Sequence, residues 1–102
     1  MTVYVVNEPI RANGSSYFNL TSALDFGELA YVLPAGTPTL DARSMMVRIE
    51  EAMAGFTQAD YLLPVGNMAA CCLAAAVAAR KGPVRVLRWH TGVQRYEALP
   101  GL

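Results

Sequence analysis

A turn in the middle of the chain is of a type that binds anions. Val65-Gly66-Asn67 lies between a predicted strand and a predicted helix. Free N–H groups and the helix dipole can hold a phosphate at a helix N-terminus, and ligands of open parallel sheets gather at the carboxyl ends of strands. Because no G-x-G-x-x-G or P-loop sequence is present, the turn predicts either a simple anion or nucleotide site or a plain capped helix.

A basic and aromatic segment near the C-terminus is the second candidate site. It places guanidinium, indole, imidazole and phenol groups on one predicted hairpin, through Arg85, Arg88, Trp89, His90, Arg95 and Tyr96. Guanidinium groups pair with phosphates and aromatic faces stack on bases, so this combination suits nucleotides or single-stranded nucleic acid. The alternative is a solvated edge hairpin whose basic residues oppose edge-to-edge aggregation. A pI of about 6.5 argues against strong nucleic-acid binding.

The histidine and the cysteines do not form a metal or nucleophile motif. His90 is the only histidine, and Cys71 and Cys72 are adjacent in the sequence, without ligand spacing. Thiols inside an apolar helix stay protonated and bridge poorly when adjacent. We therefore predict reduced thiols with a packing role, no metal and no cofactor.

The aspartates at predicted element ends have local roles. Asp25, Asp41 and Asp60 each occupy a position where a carboxylate caps a helix or forms a turn. We assign none of them to acid–base catalysis. The polar loop over residues 10–19 contains Ser15, Ser16 and Tyr17, and it is either a ligand rim or a plain surface loop.

These residues are positioned by a predicted α/β fold. The predicted strands are residues 2–6, 28–33, 61–65, 84–89 and 94–99, and the predicted helices are 23–25, 37 or 39 to about 54, and 68–79. Strands that alternate with helices imply a parallel sheet with right-handed crossovers, and glycine between the last two strands predicts a hairpin. We expect one domain over residues 1–102: a small two-layer or three-layer mixed sheet, mostly parallel, with two main helices and a C-terminal antiparallel hairpin.

Local signals predict the helix ends. Gly66 allows a sharp bend, and Asn67 is expected to cap the helix over residues 68–79.

Thr21 or Ser22 is the expected cap of the short helix. Thr37 or Thr39 is the expected start of the long helix, whose apolar stripe is Leu40, Met46, Ile49 and Met53.

The helix Met68–Ala79 is apolar on every side. It contains no charged residue and is rich in alanine, yet the sheet of a small domain covers only one side of a helix. We predict a homo-oligomer whose contact includes this helix, because its outer side then needs another cover. The alternative is an alanine surface that tolerates water.

Composition limits the class of protein. The chain has 102 residues, 54% hydrophobic and 16% charged, which excludes disorder and fits a single core. The formal net charge is zero, but residues 80–102 carry five basic side chains against one acidic, so a local positive patch is expected. The first residues show neither a signal peptide nor a membrane span, and we predict a cytoplasmic protein without membrane contact.

The C-terminal half resembles a known group of proteins. The segment DYLLPVGN, the small-residue helix, and VRVLRW with a tyrosine-bearing closing strand resemble a small intracellular family associated with bacteriophages and prophages. The stretch FNLTSALDFGELAYVLP matches more loosely. The resemblance implies the fold, a phage origin and the cytoplasm of a bacterial host, and it carries over no catalytic residue. Small phage proteins without catalytic signatures are often inhibitors or sequestering agents of host systems.

Together these features predict a non-catalytic binding protein, leaning away from an enzyme. It would hold an anionic ligand such as a nucleotide, or dock on a host protein. The candidate ligand-binding residues are Gly66, Asn67, Arg85, Arg88, Trp89, His90, Arg95 and Tyr96. Two alternatives remain: a metal-independent phosphodiesterase or nuclease that uses His90 with nearby arginines, and a nucleic-acid binder that acts through the basic hairpin.

Overall fold

A computed structural model of the chain describes residues 1–8, 20–34 and 41–99. In chain order the elements are β1 (Thr2–Asn7), a 3-10 helix (Thr21–Phe26), β2 (Glu28–Leu33), α1 (Ala42–Ala52), β3 (Tyr61–Leu63), α2 (Met68–Ala79), β4 (Arg85–His90) and β5 (Arg95–Ala98). The strands form a sheet in the order β2-β1-β3-β4-β5. The first four are parallel, and β5 is antiparallel to β4. The predicted α/β class, mostly parallel sheet and C-terminal hairpin are confirmed.

The two faces of the sheet are covered differently. Successive strand residues point to opposite faces, so Val6 and Val3 in β1 belong to two separate cores. Both α-helices lie on the first face. Ile49 of α1, Met53 just after α1, and Ala70, Ala74, Val77 and Ala78 of α2 pack there with Val6, Val32 and Leu62. The 3-10 helix lies on the second face, where its buried Ala23 joins Val3, Val5, Leu63, Leu87 and Tyr96. The architecture is therefore two-layered, with the 3-10 helix added on the second face.

The end of each α-helix has an identifiable cause. Asp41 caps α1, since its side chain accepts a hydrogen bond of 2.7 Å from the Ser44 N–H, which lowers the pKa of the Asp41 carboxyl. The predicted starts at Thr37 and Thr39 lie outside the described residues. Asn67 caps α2 by accepting from the Ala70 N–H at 3.0 Å, as predicted. At the other end of α1, the Lys81 ammonium donates to the carbonyls of residues 53 and 54, so it caps α1 rather than its own helix.

The structure corrects the predicted cap of the short helix and gives the geometry of the hairpin turn. The 3-10 helix begins after Leu20 without any side-chain cap, and the Ser22 hydroxyl is buried without a hydrogen-bond partner among the described residues. In the β4–β5 turn the residue with positive φ is Gln94, at 56°, rather than Gly92. Two N–H groups, of Val93 and Gln94, donate to the His90 carbonyl and close this turn.

Within the described ranges, no helix has both the length and the apolar character needed to cross a membrane.

Candidate functional site

A pocket opens where β3 and β4 part. Their pairing register ends at Leu62 and Val86, because the chain turns away at Pro64 while β4 continues. The gap at this carboxyl edge has a volume of about 270 Å³. It is lined by Leu63, Pro64, Val65, Gly66, Leu87, Arg88, Trp89 and Tyr96.

Two aromatic rings form one side of the pocket. Trp89 and Tyr96 are opposite each other in the β4–β5 pairing, and their ring centroids are 5.1 Å apart in an edge-to-face arrangement. Tyr96 is 5% exposed and Trp89 is 39% exposed. Burial raises the pKa of the Tyr96 phenol. The buried tyrosine ring thus packs against the indole from the core side, while part of the indole surface stays exposed.

Arg88 is the charged residue of the lining, and it already has a partner. It lies opposite Glu97 on β5, and its Nε donates to the Glu97 Oε1. This hydrogen bond lowers the pKa of the Glu97 carboxyl. Both side chains are substantially exposed, at 55% and 38%. Because neighbouring residues of a strand point to opposite faces, this ion pair projects from the face of the hairpin opposite to Trp89 and Tyr96.

Some of the N–H groups at the N-terminus of α2 are bound by the protein itself. The Asn67 N–H donates to the Asn7 Oδ1 at 2.8 Å, and the Ala70 N–H is taken by the Asn67 side chain. The Asn7 N–H in turn donates to the Val65 carbonyl at 3.0 Å. Two of the N–H groups predicted to meet an anion are therefore engaged, one by Asn7 and one by Asn67.

Arg85 is the first residue of β4, two residues before Leu87, and is not part of the pocket lining. Its guanidinium carbon stands 4.1 Å from the centre of the Tyr61 ring, and its Nη1 donates to the Tyr61 hydroxyl at 3.1 Å. Nη2 donates to the Ala59 carbonyl. Through these contacts Arg85 helps to hold β4 against β3.

His90 and Arg95 form the last residue pair of the hairpin, next to its turn. His90 is half-buried, and its Nδ1 is buried without a partner among the described residues. Neither residue lines the pocket. Of the eight candidate residues, the structure brings together Gly66, Arg88, Trp89 and Tyr96.

Sequence reasoning missed several residues of this site. Leu63, Pro64, Val65 and Leu87 supply much of its apolar wall, and Glu97 restrains Arg88. The signal for Glu97 was the hairpin register, which places it opposite Arg88.

The other residues considered for chemistry have structural surroundings. Cys71 is half-buried. Its burial, and to a smaller extent the charge of the neighbouring Cys72, raises the pKa of its thiol. Both cysteines are free, and Cys72 is exposed, so Cys72 does not pack in the core of the single chain. Among the described residues, no group of three or more histidine, cysteine, aspartate or glutamate side chains is placed to hold a metal.

The exposed side of α1 carries another depression. It has a volume of about 380 Å³ and is lined by Arg43, Ser44, Val47, Arg48 and Glu51. All five come from one helix, so the depression is a furrow between neighbouring side chains on an open surface.

Comparison with known families gives one match that covers nearly the whole chain. The family described as Phage Pam3 gp32-like protein matches residues 1–100, which confirms the resemblance to a phage family. No curated protein and no solved structure matches the chain.

Proposed function

We propose that this chain, which belongs to the family of Phage Pam3 gp32-like proteins, is a non-catalytic binding protein encoded by a bacteriophage. In this proposal it works in the cytoplasm of the bacterial host and holds an anionic ligand, with nucleotides as the first candidates. The observation that carries the proposal is the pocket that Gly66, Trp89 and Tyr96 line at the carboxyl edge of the sheet. Aromatic faces stack on bases, so this pocket suits the ring of a nucleotide.

The chemistry of the lining supports binding rather than catalysis. Among the described residues around the pocket, none is a histidine, a carboxylate, a serine or a cysteine, the usual general bases and nucleophiles. His90, on which a phosphodiesterase or nuclease would depend, stands beside the hairpin turn and outside the lining.

The distribution of the arginines favours a small ligand over a nucleic-acid strand. Arg85 is engaged with Tyr61 at the amino end of β4, and Arg88 is engaged with Glu97. A protein that tracks a phosphate backbone needs a positive groove along several nucleotides. Arg85 and Arg88 are three residues apart on β4 and instead project from opposite faces of that strand.

Replacing Trp89 by alanine is expected to weaken ligand binding by about tenfold or more, because base–aromatic stacking contributes about 1–3 kcal/mol. A thermal-shift screen of nucleotides against the wild-type protein identifies the ligand, since a ligand at 100 times its Kd stabilises by about 2.7 kcal/mol. Arg95→Ala, on the same hairpin but outside the lining, is the matched control and should keep wild-type affinity. If no nucleotide or phosphate compound raises the melting temperature of the wild-type protein, the small-ligand proposal is wrong and docking on a host protein remains.

The outer side of α2 supports a contact with a second copy of the chain. Its exposed residues are Met68, Ala69, Cys72, Ala76 and Ala79, and Met68 is 80% exposed. They recur at three- and four-residue spacing and include no charge. Small side chains let two helices approach closely, so we propose that this strip is the interface of a homo-oligomer.

Replacing Ala76 by glutamate is expected to convert the oligomer into monomers, because two carboxylates would then be buried without partners. Size-exclusion chromatography with light scattering measures this directly, as a fall to the 11.0 kDa mass of one chain. Ala42→Glu, at an exposed position of α1, is the control and should leave the mass unchanged. A wild-type protein that is already monomeric at high concentration would contradict the interface.

A further inference from the structure

The backbone groups of β4 that border the pocket point to β3. Val86 accepts a hydrogen bond of 2.7 Å from the Leu99 N–H, so the backbone N–H and C=O of Val86 point to β5. Hydrogen-bonded and non-hydrogen-bonded pairs alternate along an antiparallel ladder, and Leu87 and Trp89 stand one and three positions after Val86. Their backbone groups therefore point away from β5, to the side of the strand on which β3 lies.

Pro64 is the reason why β3 does not pair with these groups. The β3–β4 pairing ends at Leu62, and residue 64 is the next residue whose backbone groups point to β4 in such a ladder. Proline has no N–H, so β3 offers no donor to the Leu87 C=O. The chain remains beside β1 here, since the Asn7 N–H donates to the Val65 C=O at 3.0 Å. The ladder is thus interrupted between β3 and β4.

The interruption leaves one backbone acceptor and one backbone donor at the pocket. Among the described residues, neither the Leu87 C=O nor the Trp89 N–H has a backbone hydrogen-bond partner. The lining includes Arg88, whose side chain projects to the other face, so the pocket reaches the backbone of β4. An unpaired backbone group away from water costs about as much as a lost hydrogen bond. A ligand that pairs with both groups would remove this cost.

We propose that the Leu87 C=O and the Trp89 N–H recognise the hydrogen-bonding edge of a nucleotide base. The inference rests on the proposed ligand site and specifies how the ligand is read. The Leu87 C=O accepts from a donor of the base, and the Trp89 N–H donates to the neighbouring acceptor. Proteins read the Watson–Crick edge of a base in this way while its face stacks on an aromatic ring, and the exposed indole of Trp89 supplies such a ring.

The position of the gap favours a single ring over an extended peptide. A peptide that adds a strand needs an exposed sheet edge, whereas β3 and β4 are both interior strands. The gap has a volume of about 270 Å³, and pockets that enclose whole drug-sized ligands run from about 300 to 1,000 Å³. One ring system fits this space, and its sugar and phosphate would remain outside.

The first test measures the backbone N–H of Trp89 in the protein without ligand. Amide hydrogen exchange followed by NMR should show this N–H exchanging at least about tenfold faster than the Arg88 N–H. Arg88 is the internal control, because it follows Val86 by two positions and its N–H therefore points into the β4–β5 ladder. Equal protection of the two groups would mean that the Trp89 N–H has a partner within the protein, and would overturn the inference.

The second test removes the donor from the ligand. Each of the four common ribonucleoside 5′-monophosphates is titrated beside a methylated counterpart: AMP and CMP are dimethylated on the amino group of the base, and GMP and UMP are methylated on the ring N–H. Methylation keeps the ring and the phosphate but leaves the Leu87 C=O without a donor. We expect the methylated form to bind at least about tenfold more weakly, and the parent nucleotide to protect the Trp89 N–H from exchange.

The outcomes separate this inference from the function on which it rests. Equal affinities of a nucleotide and its methylated counterpart would show that the edge of the base is not read, while the ligand site itself would stand. A nucleotide that binds without protecting the Trp89 N–H would also contradict the inference. If none of the four nucleotides binds, the proposed nucleotide site fails together with the inference.

Discussion

Replacing Asp60 by alanine is expected to lower the free energy of unfolding by about 3 kcal/mol, because partly buried donors would lose a charged acceptor. Asp60 is 8% exposed. Its carboxylate accepts from the Thr2 N–H at 2.9 Å, from the Thr57 N–H at 2.9 Å and from the Thr57 hydroxyl at 3.1 Å. Alanine offers none of these donors a partner.

Urea unfolding of matched variants separates this effect from a general loss of charge. Asp60→Asn keeps one acceptor oxygen and should lose about 1–2 kcal/mol. Asp25→Ala, at an exposed position of the 3-10 helix, should change stability by less than about 0.5 kcal/mol. A similar loss in the Asp25 and Asp60 variants would show that the hydrogen bonds of Asp60 contribute little.

The position of Asp60 explains why its effect should reach the sheet. Asp60 directly precedes β3, and its carboxylate accepts a hydrogen bond from Thr2, the first residue of β1. The residues that follow them, Tyr61 and Val3, are paired in the sheet. A change of register by one residue would move every side chain of β3 to the opposite face. Asp60 thus helps to set which residues of β3 face each core, including Leu63 in the wall of the pocket.

Local signals predicted the elements of this fold well. The bounds Met68–Ala79 and Glu28–Leu33 were predicted as the structure has them, because alanine-rich and β-branched segments between glycine, proline and asparagine leave few alternatives. The Asn67 cap also follows from local chemistry. The placement of both helices on one face could not be read in this way, since it depends on contacts between elements distant in the sequence.

The candidate site shows the same division between local and distant information. Residue types alone grouped six residues of the hairpin. In the structure their side chains point to different faces of the sheet, and some lie near the start of β4 whereas others lie near its end. Arg85 begins β4 and contacts Tyr61, whereas Trp89 approaches the other end of β4 and contacts Tyr96. The start of α2 after an Asn67 cap was predicted correctly. That Asn7 would engage the Asn67 N–H depends on the pairing of β1 with β3, which the sequence did not reveal.

Replacing Gly66 by alanine is expected to lower the free energy of unfolding by about 4 kcal/mol, from backbone strain and steric overlap together. Gly66 has a φ of +109°, a conformation that residues with a Cβ rarely adopt. An added Cβ would also overlap the Asn7 side chain, at both its Oδ1 and its Cβ. Chemical unfolding of the purified variant measures the loss.

A double-mutant cycle with Asn7→Gly separates the two causes. Asn7→Gly removes the side chain that an alanine at position 66 would meet, but the positive φ of the turn remains. Gly66→Ala should therefore cost less in the Asn7→Gly background, by at least about 1 kcal/mol, as for residues in contact. Equal costs in both backgrounds would assign the whole effect to backbone strain. A clear coupling would mean that Gly66 is required by the Asn7 contact that closes the N-terminus of α2, whether or not a phosphate ever binds there.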